Sequence, residues 1–183
     1  PGQPAGTVSN WLHDHAKPGT VLRAAPPAGD FFLDRTSSDP VVLVSGGVGL
    51  TPMVSMLEAI VATTPERQAW YVHGTQNGGT HAMRNHVQKL VAGNRNVRAQ
   101  TFYAEPNGQE RAGDHYDVAG LITAEWLVAQ TPHQAATYYL CGPKPFLSAL
   151  VNGLMRRRVP AERIRFEFFG PADELLDDAR QAT

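Results

Sequence analysis

The succession of strand-like and helix-like segments predicts an α/β fold, a doubly wound parallel five-stranded sheet over residues 37–172, after a β-rich leading piece over 1–36. Three observations carry this. Val41, Val42, Leu43 and Val44 run unbroken into Ser45, as in a strand covered on both faces of a parallel sheet. Met53, Met56, Leu57, Ile60 and Val61 then recur at i, i+3, i+4, i+7 and i+8, one stripe of a helix. Further strands and helical stripes alternate at similar spacing down to residue 169.

The elements are expected in the following order. Ser9 is a good N-cap for a short helix over 9–16, entered from a strand-like stretch at 5–8 and broken by Pro18-Gly19. Residues 20–25 read as a strand, Pro26-Pro27-Ala28-Gly29 as a turn, and 31–33 as a short apolar finish. This leading piece is too small to bury a core alone. The polar run 34–39 ahead of Pro40 marks a domain boundary. A second strand is expected over 69–73, and Met83, Val87, Leu90 and Val91 stripe a second helix. A third strand over 97–103 precedes a polar loop, 104–120, whose length implies mobility or function. A short helix over 123–130 and a strand over 137–141 follow. Phe146, Leu147, Leu150, Val151 and Leu154 line a helix over 145–158, and a last strand covers 164–169. The tail, 173–183, is expected to fray.

Composition excludes several functions. Of 183 residues 42% are apolar and the formal net charge is −1, so the chain is neither disordered nor a bulk binder of nucleic acid. One cysteine, Cys141, excludes a disulfide framework and a cysteine-built metal or iron–sulfur site, and fits a reducing, cytoplasmic setting. The longest apolar run, 41–50, is about half the roughly 20 residues that a membrane span requires. No basic-plus-apolar leader opens the chain, which starts at Pro1 within a folded pattern; a piece of a longer protein is expected. The seven histidines are scattered, read as surface or turn residues, and form no metal site.

Ligands of such sheets lie at the carboxyl ends of the strands. There Gly46, Gly47, Val48, Gly49, Leu50, Thr51 and Pro52 link the first strand to its helix. Glycines permit a sharp turn and the approach of a phosphate to bare N–H groups, while Thr51 is placed to cap the helix and Pro52 suits its first turn. The usual third glycine and the ribose-binding acid after the second strand are missing, so this is not the standard dinucleotide fingerprint. Cys141-Gly142-Pro143 ends the fourth strand; its thiol is either activated by the following helix or, more simply, packs as a small hydrophobe or against a ligand. In Glu167-Phe168-Phe169-Gly170-Pro171, strand alternation places Phe169 on the polar face, where a ring suits stacking on a flat heterocycle.

These motifs, together with Gly6-Thr7-Val8-Ser9-Asn10-Trp11-Leu12-His13 and Pro27-Ala28-Gly29-Asp30-Phe31, resemble in content and order the reductase half of flavohaemoglobins, bacterial nitric oxide dioxygenases of the ferredoxin–NADP reductase-like superfamily. The resemblance covers residues 3–172. It implies that 1–36 is the C-terminal part of an FAD-binding β-barrel and that Gly46 to Thr51 hold the NAD pyrophosphate and ribose. Cys141, Gly142 and Pro143 would lie by the nicotinamide, and Phe168 to Pro171 would line FAD with Phe169 against the isoalloxazine. Glu167 would influence the flavin's redox potential, and Val8 and Ser9 would meet the FAD pyrophosphate. It implies hydride transfer from NADH to FAD and electron transfer to haem for oxidation of nitric oxide to nitrate.

The globin domain and the first part of the barrel have no counterpart here, so haem binding is not expected and FAD binding is expected to be weak or absent. Open barrel edges would favour self-association. Two other readings stay open: a reductase feeding a separate oxygenase or ferredoxin, and a truncated, non-enzymatic nucleotide-binding module. NADPH also stays open beside NADH, because no acid follows the second strand and Arg84 is close enough in sequence to meet a 2′-phosphate.

Overall fold

Among the described residues six parallel strands form one sheet. The computed structural model describes residues 7–26 and 28–168. The chain divides into two units, Pro1–Asp30 and Phe31–Thr183.

In the first unit, α1 (Thr7–His15) has no buried residue, and the Trp11 indole stacks on the His15 ring at 5.5 Å. The helix starts two residues earlier than expected, so Ser9 lies inside it rather than capping it, and Thr7 and Val8 are helical rather than extended. The strand expected at 20–25 does not form. Among the described residues of this unit no other strand offers it hydrogen bonds, and a lone strand leaves its backbone polar groups to water.

In the second unit, β1 (Val41–Gly46) is buried at every residue and pairs with β2 (Ala69–Thr75) on one side and β5 (Thr137–Gly142) on the other. β3 (Val97–Tyr103) and β6 (Ile164–Phe168) lie outside these. Alternate residues feed two cores. Val42, Val44, Val72, Tyr138 and Leu140 face α4 (Ala124–Gln130) and α5 (Lys144–Arg156). Val41, Leu43, Tyr71, Tyr139 and Cys141 face α2 (Leu50–Thr63) and α3 (Arg84–Ala92). In α2 the expected stripe is buried at Met53, Met56, Leu57 and Ile60. Each such side chain contributes about 1.5–3 kcal/mol.

The sheet has one strand more than the five expected. The extra strand, β4 (Val118–Ala119), lies inside the segment read as a loop and pairs with Phe102 and Tyr103. Two residues are too few to show a period. The rest of that segment is tied down as well. Asp117 accepts the Thr101 N–H at 2.7 Å, and Glu110 accepts those of Gly78 at 2.7 Å and Asn107 at 2.8 Å.

The segment before β1 is fastened to the second unit. Arg67, only 5% exposed, donates from Nε to the Asp39 carbonyl at 2.7 Å and from Nη1 to the Asp34 carbonyl at 2.8 Å. The Asp34 N–H donates to the Tyr139 hydroxyl at 3.0 Å, and Leu33 is buried in the α2-side core.

Candidate functional site

Chain order reverses beside β1: β2, β3 and β4 extend the sheet one way, β5 and β6 the other. At such a switch point the crossovers diverge and leave a crevice at the carboxyl ends of the strands. A cavity of about 630 Å³ lies there. Its walls include Gly46, Gly47, Val48, Leu50 and Thr51 after β1, Gly74, Thr75 and Gln76 at the end of β2, and Pro143 and Phe146 after β5. Ala104 and Leu121 close the far side. The volume suits a small-molecule site, typically about 300–1,000 Å³.

The turn between β1 and α2 is a short 3₁₀ segment, Gly47–Gly49. Its glycines do different work. Gly47 has φ +55°, a left-handed conformation that favours glycine, and a Cβ there would meet nothing within 4 Å. Gly49 is buried, and a Cβ on it would lie 2.2 Å from the Cys141 carbonyl oxygen. Gly46 and Gly142 pack under the Phe146 ring. Gly49, not Thr51, occupies the N-cap of α2, and no side chain caps that end. Thr51 lies one residue inside the helix, and its hydroxyl donates to the Val48 carbonyl at 3.4 Å.

A diphosphate fits these walls. The lining carries no charged side chain, so an anion there would rest on backbone N–H groups and the positive end of α2. The open space over Gly47 gives it room.

Other expected site residues lie elsewhere. Gly49, Cys141 and Gly142 do not line the cavity. Cys141 is 0% exposed, and burial, with a smaller contribution from Glu167, pushes its thiol up to about 12. Desolvation outweighs any help from the helix that follows, which favours packing over activation for this thiol. Glu167 is exposed on β6 in register with Cys141, and Phe168 packs against the α5-side core. Phe169, Gly170 and Pro171 lie outside the described residues. Val8 and Ser9 are exposed on α1. Within the first unit, α1 offers FAD no buried surface.

Immediately before the cavity-lining Gly46 and Gly74 in their strands lie Ser45 and His73, buried polar residues that the sequence reading missed. Ser45 Oγ and His73 Nδ1 are 2.9 Å apart. The His73 ring lies 5.2 Å from that of His81, whose Nδ1 is 2.9 Å from the Tyr103 hydroxyl. His73 is 0% exposed and its Nε2 has no partner. Burial, and then the neighbouring His81, lower its pKa to about 4; burial and Arg84 lower that of His81. These two are therefore not surface histidines. The signal was available: His73 shares strand parity with the apolar run from Ala69, so it points into the core with Tyr71. Among the described residues no group of three or more His, Cys, Asp or Glu could hold a metal ion.

Residues 43–152 match the family described as Oxidoreductase NAD-binding domain. The chain is 52% identical over 169 residues to a flavohemoprotein of Xylella fastidiosa, covering 92% of this chain and 41% of that protein. It is 44% identical over 172 residues to a flavohemoprotein of Bacillus cereus, covering 94% of this chain and 43% of that one. Among solved structures, the flavohem-like FAD/NAD-binding domain of nitric oxide dioxygenase from Vibrio cholerae superposes with a TM-score of 0.77 at 31% identity, over 91% of this chain and 65% of that chain. The chain thus spans about two fifths of the length of these curated relatives. Among the described residues no helix is long and apolar enough to cross a membrane.

Proposed function

Because the chain belongs to the oxidoreductase NAD-binding domain family, we propose that its cleft holds NADH by the diphosphate, as the reductase portion of a flavohaemoglobin. The observation that carries this is the uncharged cavity at the carboxyl ends of β1, β2 and β5, with the start of α2, which no side chain caps, beside it. Amides of Gly47, Val48 and Thr51, which line the cleft, hold the diphosphate, and Gly47 leaves it room. Thr51 turns its hydroxyl from Val48 toward the ribose. Pro143 and Phe146 form the wall on the β5 side, where the nicotinamide lies and water is excluded. Cys141 acts by packing, since its carbonyl seats Gly49. By the family resemblance alone, Glu167, Phe168, Phe169, Gly170 and Pro171 are assigned to the flavin, and Val8 and Ser9 to a flavin pyrophosphate. Bound there, the pyridine nucleotide supplies a hydride to the flavin. The chain's own task is positioning.

In the full-length protein we assign the remaining FAD-barrel strands and a globin as the partners, and oxidation of nitric oxide to nitrate as the activity. NADH-driven consumption of nitric oxide by that protein tests both levels. Gly47→Val should lower it about 100-fold, the effect of misplacing the reacting rings, while the variant, reduced with dithionite that is then removed, still oxidises nitric oxide in a single turnover once oxygen is admitted. Full NADH turnover in the variant would contradict the diphosphate assignment. NADH-dependent ferricyanide reduction without nitric oxide consumption would contradict the globin assignment alone.

A further inference from the structure

The cleft runs on from the glycine turn toward the ends of β2 and β3, past Thr75, Gln76, Thr80 and Ala104. If the diphosphate lies at the β1 crossover and the nicotinamide toward Pro143, the adenosine must occupy this other end. Two carboxylates stand directly behind its walls. Glu105 Oε2 accepts from the side-chain amide of Gln76, a wall residue, at 3.2 Å, and the Glu105 N–H donates to the Gln76 carbonyl at 2.9 Å. Glu110 Oε1 accepts the Gly78 N–H at 2.7 Å, in the turn that ends at the wall residue Thr80. Its other oxygen accepts the Asn107 N–H at 2.8 Å, so both carboxylate oxygens are held in place.

No cation of the lining offsets them. Arg84 donates to the Asp114 carbonyl and lines a separate cavity of about 180 Å³ with Tyr71, His81 and Asp114. In this placement Arg84 does not line the cleft. An acid at the end of the second strand commonly favours the bare ribose of NADH, and an arginine there admits the 2′-phosphate. This chain lacks that acid on β2 and carries its carboxylates on the loop after β3 instead.

We propose that Glu105 and Glu110 are the residues that make the adenosine end of the cleft reject a 2′-phosphate, so that NADH is taken in preference to NADPH. This rests on the reading of the cleft as a pyridine-nucleotide site. The two carboxylates act by charge from behind the wall, so the discrimination weakens as salt screens them.

The test is a titration of the 183-residue chain with NADH and with NADPH, read by nucleotide fluorescence at low and high salt. The wild type should favour NADH, and that preference should shrink as salt rises. In the double variant Glu105→Gln, Glu110→Gln, which removes both charges at nearly the same shape, NADPH should bind at least about tenfold tighter than in the wild type. Arg84→Gln should leave the NADH-to-NADPH ratio where it was. A ratio unmoved by the double variant, or a wild-type preference insensitive to salt, overturns the proposal while leaving the cleft assignment standing. Should the double variant not fold, the wild-type salt series still decides. Failure of the wild type to bind either nucleotide overturns the cleft assignment and the proposal with it.

Discussion

Gly49 rests on the backbone of Cys141: a Cβ on the glycine would lie 2.2 Å from the Cys141 carbonyl oxygen and 2.5 Å from its carbonyl carbon. Two motifs 92 positions apart in sequence thus form one joint, in which the turn after β1 is seated on the end of β5. Neither backbone can yield without moving the floor of the cleft.

Gly49→Ala is therefore expected to lower stability by about 2–3 kcal/mol through overpacking. Gly47→Ala, which meets open space but keeps a left-handed φ, should lose only about 1 kcal/mol. Urea denaturation of both variants measures the order, and a Gly47→Ala loss equal to or larger than that of Gly49→Ala would contradict it.

Arg67 holds the segment before β1 through two carbonyls, those of Asp34 and Asp39. Replacing it with alanine leaves both acceptors short of a charged donor in a buried place, worth about 3 kcal/mol. Arg67→Lys, with a single ammonium in place of the fork, should recover only part of that. Thermal unfolding of the three proteins compares them; a lysine variant as weak as alanine would show that the charge contributes nothing.

Stability should fall with acid because of His73. Its pKa is 6.5 in an ordinary setting and is held near 4 in the fold by burial and by His81. Between these values the unfolded chain binds a proton that the folded chain refuses, so stability is highest above pH 6.5 and declines toward pH 4. The shift corresponds to about 3 kcal/mol, and His81, lowered too, adds in the same direction. Urea midpoints at pH 7 and pH 5 should differ in the wild type and differ less in His73→Gln. Equal slopes in both proteins would remove His73 as the cause.

Cys141 should resist thiol reagents. Its pKa near 12 and full burial leave almost no thiolate at pH 8 in the folded chain. Ellman's reagent should react within minutes in denaturant and over hours without it. Rapid labelling of the native chain would contradict the buried position and restore an activated thiol.

Legibility of the sequence tracked the length of each pattern. The strand at β1 and the α2 stripe were plain because each repeats one rule over many residues, and the cleft followed from where those strands end. β4 was not, since two residues carry no period. The separate roles of Gly47 and Gly49 were hidden because only a three-dimensional neighbour, the Cys141 carbonyl, tells a glycine needed for φ from one needed for space. His73 and Ser45 are legible as buried by strand parity, but the hydrogen bond between them spans 28 positions and shows only in the fold. Thr51 was read as a cap because threonine commonly is one; here the 3₁₀ turn moves the helix start to Leu50.

The most direct measurement is a ¹⁵N–¹H correlation spectrum of the chain as NADH is added. Shifts should concentrate at the amides of Gly47, Val48 and Thr51, and extend to Gln76 and Phe146 across the cavity. Saturating NADH with those amides unmoved, or with shifts confined to α1, would contradict a diphosphate seat between β1 and α2.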